Sequence, residues 1–112
     1  MPIQIIVDSR EHNSGLVKLL QANPALSVSV GQLEIGDYQI SPEFVIERKE
    51  AMDFINSIRD GRLFSQVKLM KANFERAAVI VEGGLYDERK YPRGFTPASL
   101  QGALSDLVVL EG

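Results

Sequence analysis

The chain has 112 residues, 45% hydrophobic and 24% charged, with a net charge of -3. That is enough for one core and too little for two, and a charge fraction near the globular average excludes a disordered chain. With no cysteine, disulfides and thiolate metal sites are excluded, and no apolar run is long enough to span a membrane.

The start, MPIQIIVDSRE, lacks a basic leader and its apolar run is too short for a signal peptide. The expected compartment is the cytoplasm of a prokaryote or the nucleus of a eukaryote. IQIIVD reads as a buried strand, and the polar DSREHNSG after it as a loop in which His12 stands alone and solvent-exposed. GLVKLLQANP spaces Leu16, Val17, Leu19 and Leu20 for one helical face and stops at Pro24. LSVSVGQL alternates, with Leu26, Val28 and Val30 on one side, and predicts a strand. YQI and FVIERK, joined at SPE, predict a hairpin. EAMDFINSIRDG predicts a short helix closed by Gly61, and RLFSQVKLMKANFERA an amphipathic one with Leu63, Val67, Met70 and Phe74 inward. AAVIV predicts a fully buried strand, and EGGLYDERKYPRGF a polar loop. Thr96 can cap a last helix that starts at Pro97 and turns Leu100, Leu104, Leu107 and Val108 inward, with Val109 and Leu110 following. The order β-α-β-β-β-α-α-β-α predicts an α/β fold, a mixed central sheet flanked by helices on both faces, as a single domain over residues 1–112. Because the sequence stops at VVLEG directly after a helix, it reads as an isolated or C-terminally incomplete domain of a longer protein.

Charge is unevenly spread. Residues 1–58 carry eight Asp/Glu against four Lys/Arg, whereas residues 59–93 carry eight Lys/Arg against five Asp/Glu. An acidic half beside a basic half suits a cation site next to a phosphate-binding surface, and random scatter is the plain alternative. The acidic half contains GDYQISPEFVIERKEAMD, residues 36–53. Strand alternation puts Glu47 and Lys49 on one face and Arg48 on the other, with Asp37 on the neighbouring strand. Two carboxylates, helped by the Arg48 backbone carbonyl, would suit Mg2+, which takes one or two protein carboxylates and keeps several waters. Such a cation polarises a phosphodiester and activates water, while Lys49 would orient that water or stabilise the charged transition state. The plainer reading also stands. Lys49 and Asp53, four apart, make a helix-start ion pair worth ~0.3–0.5 kcal/mol; Glu47 pairs with Arg10; Asp8 and Asp37 form turns.

Four motifs in order resemble the nuclease domain of the XPF-type structure-specific endonucleases. VDSRE holds Asp8, Arg10 and Glu11; GDY holds Asp37; ERKEAMD holds Glu47, Arg48, Lys49 and Asp53; SIRDGRLFSQ holds Arg62 and Gln66. The signature G-D-x(n)-E-R-K-x(3)-D is far more specific than D…E-x-K. The resemblance runs from about residue 4 to residue 82, and LQGALSDL extends it weakly. It implies a restriction-endonuclease-like fold and cleavage of branched or nicked DNA, dependent on Mg2+ or Mn2+, in repair or recombination. Asp37 and Glu47 map to metal ligands, with Arg48 and Asp8 beside them, Lys49 to the catalytic lysine, and Asp8 and Asp53 to supporting acids. Arg10, Glu11, Arg48 and Arg62 match positions kept around the site. Relatives of this type dimerise, often with an inactive partner, and carry a helix-hairpin-helix domain that is missing here; intact Asp37, Glu47 and Lys49 disfavour the inactive role.

DNA phosphates would meet Arg10, Arg59, Arg62, Gln66, Lys68 and Lys71, with Arg89, Lys90 and Arg93 in the loop; each alone reads equally as solvated surface. The apolar face of the last helix predicts a homodimer through that helix. Two rivals remain: a non-catalytic DNA-binding or dimerisation module, and a restriction-type nuclease that reads intact duplex sites.

Overall fold

Two strand–helix–strand units share one five-stranded sheet in this computed structural model, which describes residues 3–11 and 14–111, side chains of 108–111 excepted. His12 and the side chains of Val108, Val109 and Leu110 therefore lie outside the described residues. The first unit is β1 (Ile3–Asp8), α1 (Gly15–Ala22) and β2 (Leu26–Gly31), with β2 parallel to β1. The second is β4 (Phe44–Glu50), α2 (Ala51–Arg59), α3 (Arg62–Asn73) and β5 (Arg76–Glu82), with β5 parallel to β4. The short β3 (Tyr38–Ser41) joins them, antiparallel to both β1 and β4, so the sheet order is β2-β1-β3-β4-β5. A closing helix, α4, spans Pro97–Glu111. Every predicted element forms, and 3-10 turns at Ser9–Glu11 and Glu88–Lys90 are added.

Local chemistry sets the boundaries. The Ser14 hydroxyl caps α1 by accepting from the Val17 N–H at 3.3 Å. Thr96 and Ser99 cap α4 reciprocally, each hydroxyl accepting the other's backbone N–H at 3.2 Å. β4 runs into α2 with no loop, because the Glu50 carboxylate accepts from the N–H groups of Met52 and Asp53.

Each face of the sheet has its own core. Ile5, Val7 and Tyr38 pack against Val17 of α1 on one face. On the other, Phe54 and Ile55 of α2, Leu63 and Val67 of α3, and Leu100 and Leu107 of α4 form one cluster with Phe95. Each such side chain stabilises the fold by about 1.5–3 kcal/mol on burial.

One expectation needs correction, and it falls on a sheet edge. β5 is not fully buried: it is an edge strand, and Ile80, turned toward the α1 face, is 40% exposed. Val30, on the same side of β2 as Leu26 and Val28, is 49% exposed. β2 is the opposite edge, and α1, at eight residues about 12 Å long, cannot cover a six-residue strand about 20 Å long.

Candidate active site

Asp37 is placed by the glycine before it. Gly36 adopts φ +79°, and a Cβ there would collide with the Val45 side chain and sit 3.3 Å from the Ile46 carbonyl oxygen. The left-handed, side-chain-free residue lets the chain run hard against β4. Asp37 is then locked on two sides. Its N–H donates to the Ile46 carbonyl at 2.9 Å, and its own carbonyl accepts the Asp8 N–H at 2.8 Å. Its Oδ2 accepts the Arg48 N–H at 2.8 Å.

Glu47 and Lys49 project from β4 to the same side, as alternation requires, and Lys49 Nζ lies 3.8 Å from Glu47 Oε2. Both side chains are largely buried. Asp37 and Glu47 line one cleft of about 220 Å3 with Arg10, Glu34 and, from α3, Gln66, Leu69 and Met70. Burial and the nearby Asp37 charge push the Glu47 carboxyl up to about 7, and the Lys49 ammonium opposes that rise without cancelling it.

Glu47 therefore keeps a proton in the folded protein that the unfolded chain releases near its ordinary value of 4.5. Between these values the folded state binds more protons, so metal-free stability falls as pH rises from about 4.5 to about 7. A thermal-melt series with chelator should show that decline. Added Mn2+ should flatten it, since a bound cation favours the ionised carboxylate; a flat chelator series would contradict the assignment.

The other residues expected at the site divide. Asp8 is buried but committed: Oδ1 accepts the Leu33 N–H at 2.8 Å, and Oδ2 accepts from Arg10 Nε at 2.5 Å and the Arg10 N–H at 3.1 Å. The Arg10 and Leu33 bonds hold its carboxyl below the usual range. Asp8 thus ties the loop after β2 to β1 and is not among the cleft-lining residues. Arg10 pairs with Asp8, not Glu47, while its side chain, 73% exposed, also reaches the cleft.

The Arg48 side chain lies on the opposite face, as alternation predicts. It bridges Glu11 at 3.2 Å and Glu82 at 2.7 Å, and the Tyr38 hydroxyl donates to Glu11 at 2.9 Å. That network braces the ends of β1, β4 and β5 behind the cleft. Asp53 is exposed in the first turn of α2, and Lys49 faces Glu47 in place of the Lys49–Asp53 pair. Arg62 turns back onto Asp60 at 2.8 Å, and Lys71 donates to the Glu75 carbonyl at 3.0 Å. Arg59, Lys68, Lys90 and Arg93 are exposed, and Arg89 pairs with Asp87 at 3.0 Å. Gln66, grouped with the DNA-contacting residues from the sequence, lies in the cleft wall. Glu34, missed in the sequence, joins the cleft from the loop before β3.

A carboxylate on β4 and another just before β3, beside a lysine on a mixed sheet clad by helices, place the chain in the restriction-endonuclease-like α/β class. The chain belongs to the ERCC4 domain family, whose domain matches residues 7–112, through α4 and well past the last sequence motif. It is 36% identical over 90 residues to "3'-flap repair endonuclease Xpf" of Saccharolobus solfataricus, covering 80% of this chain and 38% of that protein. A protein of Methanocaldococcus jannaschii that carries the name of an ATP-dependent RNA helicase is 52% identical over 82 residues, 73% of this chain and 10% of that one. The solved structure of XPF from Aeropyrum pernix in complex with DNA superposes with a TM-score of 0.87 at 36% identity, covering 100% of this chain and 54% of that one. The chain thus spans well under two thirds of each of these relatives.

Proposed function

We propose that the chain is a nuclease domain that hydrolyses phosphodiester bonds in branched DNA, such as flaps, forks or junctions, using Mg2+ or Mn2+. One observation carries the reading: Asp37 and Glu47 line the same cleft, with Lys49 paired to Glu47. The residues fit the ion. Mg2+ takes one or two protein carboxylates and keeps several waters, and Asp37 and Glu47 supply two in one cleft. Burial first, and the Asp37 charge second, push the Glu47 carboxyl up, and a cation in the cleft would offset both.

Asp37, Glu47 and the main-chain carbonyl of Arg48 would hold the ion, which supplies Lewis acidity toward the phosphate and its attacking water. Asp37 stays in place because three hydrogen bonds fix it between β1 and β4. Lys49 brings a fixed positive charge to the side where negative charge develops, in a setting that screens it poorly. Asp8 and the Glu11–Arg48–Glu82 brace are positioning groups. Arg59, Lys68 and Lys71 on α2 and α3, with Arg10 at the cleft, are proposed phosphate contacts that track the backbone without reading bases. Support for a branched substrate comes from the relative named as a 3'-flap repair endonuclease and from the homologous structure with DNA.

The deciding assay offers a labelled flap and the matching intact duplex with Mg2+, Mn2+ or chelator. Metal-dependent cleavage of the flap alone is expected. Binding without cleavage in every metal would favour the non-catalytic module, and cutting of the intact duplex would favour a restriction-type enzyme.

We also propose a homodimer through α4. An apolar groove of about 460 Å3 runs between α2, β5 and α4, lined by Phe54, Val79, Val81, Leu85, Leu104 and Leu107. A second copy of α4 is the proposed occupant, packed by two-fold symmetry with the clefts facing outward. Sedimentation should give a dimer at high micromolar concentration and a monomer for the Leu104→Asp, Leu107→Asp variant. A monomeric wild type would remove this proposal and leave the nuclease one standing.

A further inference from the structure

Leu63, Val67 and Met70 line the buried face of α3, each 1% exposed or less. Gln66 falls on that same stripe, three residues after Leu63 and four before Met70, where helical spacing calls for an apolar side chain. Among the described residues its Oε1 is the one buried side-chain oxygen or nitrogen with no hydrogen-bond partner. Stable folds rarely leave a desolvated acceptor unpaired, so each case asks for a partner that arrives from outside the chain. The amide lies in the wall of the cleft that holds Asp37 and Glu47.

The chemistry of the acceptor narrows that partner. Oε1 needs a donor, and a phosphodiester has no proton to donate, so this atom is not a phosphate contact. Asp37 presents acceptor oxygens. Neither cation of the cleft donates to it: Arg10 gives its Nε to Asp8, with its exposed side chain toward solvent, and Lys49 stands nearest Glu47 at 3.8 Å. A water in the cleft is the donor that the reaction itself brings to this atom.

We infer that Gln66 is a water-positioning residue of the cleft, its Oε1 accepting a hydrogen bond from the water that attacks the phosphodiester. This rests on the nuclease reading above. In that hydrolysis the water oxygen forms a new bond to phosphorus as the water's proton passes to solvent, and the bond from phosphorus to the leaving sugar oxygen breaks as that oxygen takes a proton from solvent. An amide oxygen is too weak a base to take the proton. Its work is to turn the water's lone pair toward phosphorus, which is an orientation effect.

Two variants and one structure test this. Gln66→Leu keeps the size and removes the acceptor, and Gln66→Glu keeps an acceptor. Gln66→Leu should lower kcat about 10- to 100-fold, with KM for flap DNA and Mn2+ affinity by calorimetry unchanged and the melting midpoint unchanged or raised. Gln66→Glu should hold kcat within about tenfold of wild type. Unchanged kcat in Gln66→Leu, or a lowered midpoint, would make the amide structural and overturn the inference. The independent readout is a crystal structure of the wild-type chain with Mn2+. An ordered water about 2.7–3.1 Å from Oε1 and open to the cleft is expected. Oε1 bonded to Lys49, Arg10 or Glu47 instead would overturn the inference whatever the activity. A wild type that cuts no DNA in any metal would sink the nuclease reading itself, and is told apart because Gln66→Leu then has no rate to lose.

Discussion

Asp37→Asn is expected to abolish metal-dependent cleavage while leaving the melting midpoint unchanged or raised. The two halves have separate causes. The carboxylate is replaced by a neutral amide, so half of the carboxylate pair that would hold the cation is gone. A Lewis acid contributes several kcal/mol to the transition state, and about 1.4 kcal/mol is a tenfold rate factor, so a loss of roughly a thousandfold or more follows. The fold, by contrast, loses little. Asn Oδ1 can still accept the Arg48 N–H that Asp37 now takes at 2.8 Å, and the two backbone bonds to Ile46 and Asp8 do not involve the side chain. What disappears is a negative charge that raises the Glu47 carboxyl, so Glu47 should titrate nearer its ordinary value in the variant. The measurements are single-turnover cleavage of a flap substrate, a thermal melt, and an NMR titration of Glu47. Cleavage at the wild-type rate would dismiss Asp37 as a ligand, and an unfolded variant would make it a structural turn residue.

Sequence reasoning reached the skeleton of the site because that skeleton is built from short-range rules. Alternation along FVIERKE decides that Glu47 and Lys49 share a face and that Arg48 leaves from the other, and both hold in the structure. The GD pair shows a glycine where the backbone turns left-handed, which fixes Asp37 beside the next strand. The ends of the sheet were less legible, since AAVIV reads as buried by composition alone. Whether a strand is central or at an edge depends on pairing partners far along the chain, and composition does not record them.

Asp8 was legible as an acid at a strand end but not in its commitment, because the Leu33 N–H that occupies it lies 25 residues away. Glu34 gave no signal, being one acid in a loop. Gln66 was visible in SIRDGRLFSQ and was grouped with the DNA contacts, but its place in the cleft wall was not legible. Only the packing of Leu63, Val67 and Met70 around it turns the amide inward.

Lys49→Ala should lower kcat by about 10^2- to 10^3-fold, the usual cost of removing one preorganised group aimed at developing charge. The ammonium stands 3.8 Å from Glu47 Oε2, and its side chain is 11% exposed, so water cannot easily take its place. Metal binding should survive, because lysine donates no ligand and its positive charge opposes a second cation. The variant should therefore bind Mn2+ at least as well as wild type once the pH is high enough that Glu47 is ionised in both proteins. In the metal-free protein, loss of the nearby cation removes an influence that lowers the Glu47 carboxyl, so its titration should move further up. That shift identifies the pair by a signal independent of turnover. KM for DNA should change little, which separates a transition-state role from a phosphate-docking one. If kcat stays at the wild-type value while the Glu47 titration moves, Lys49 is only the ion-pair partner of Glu47, and the charge that serves the reaction must come from Arg10 at the mouth of the cleft.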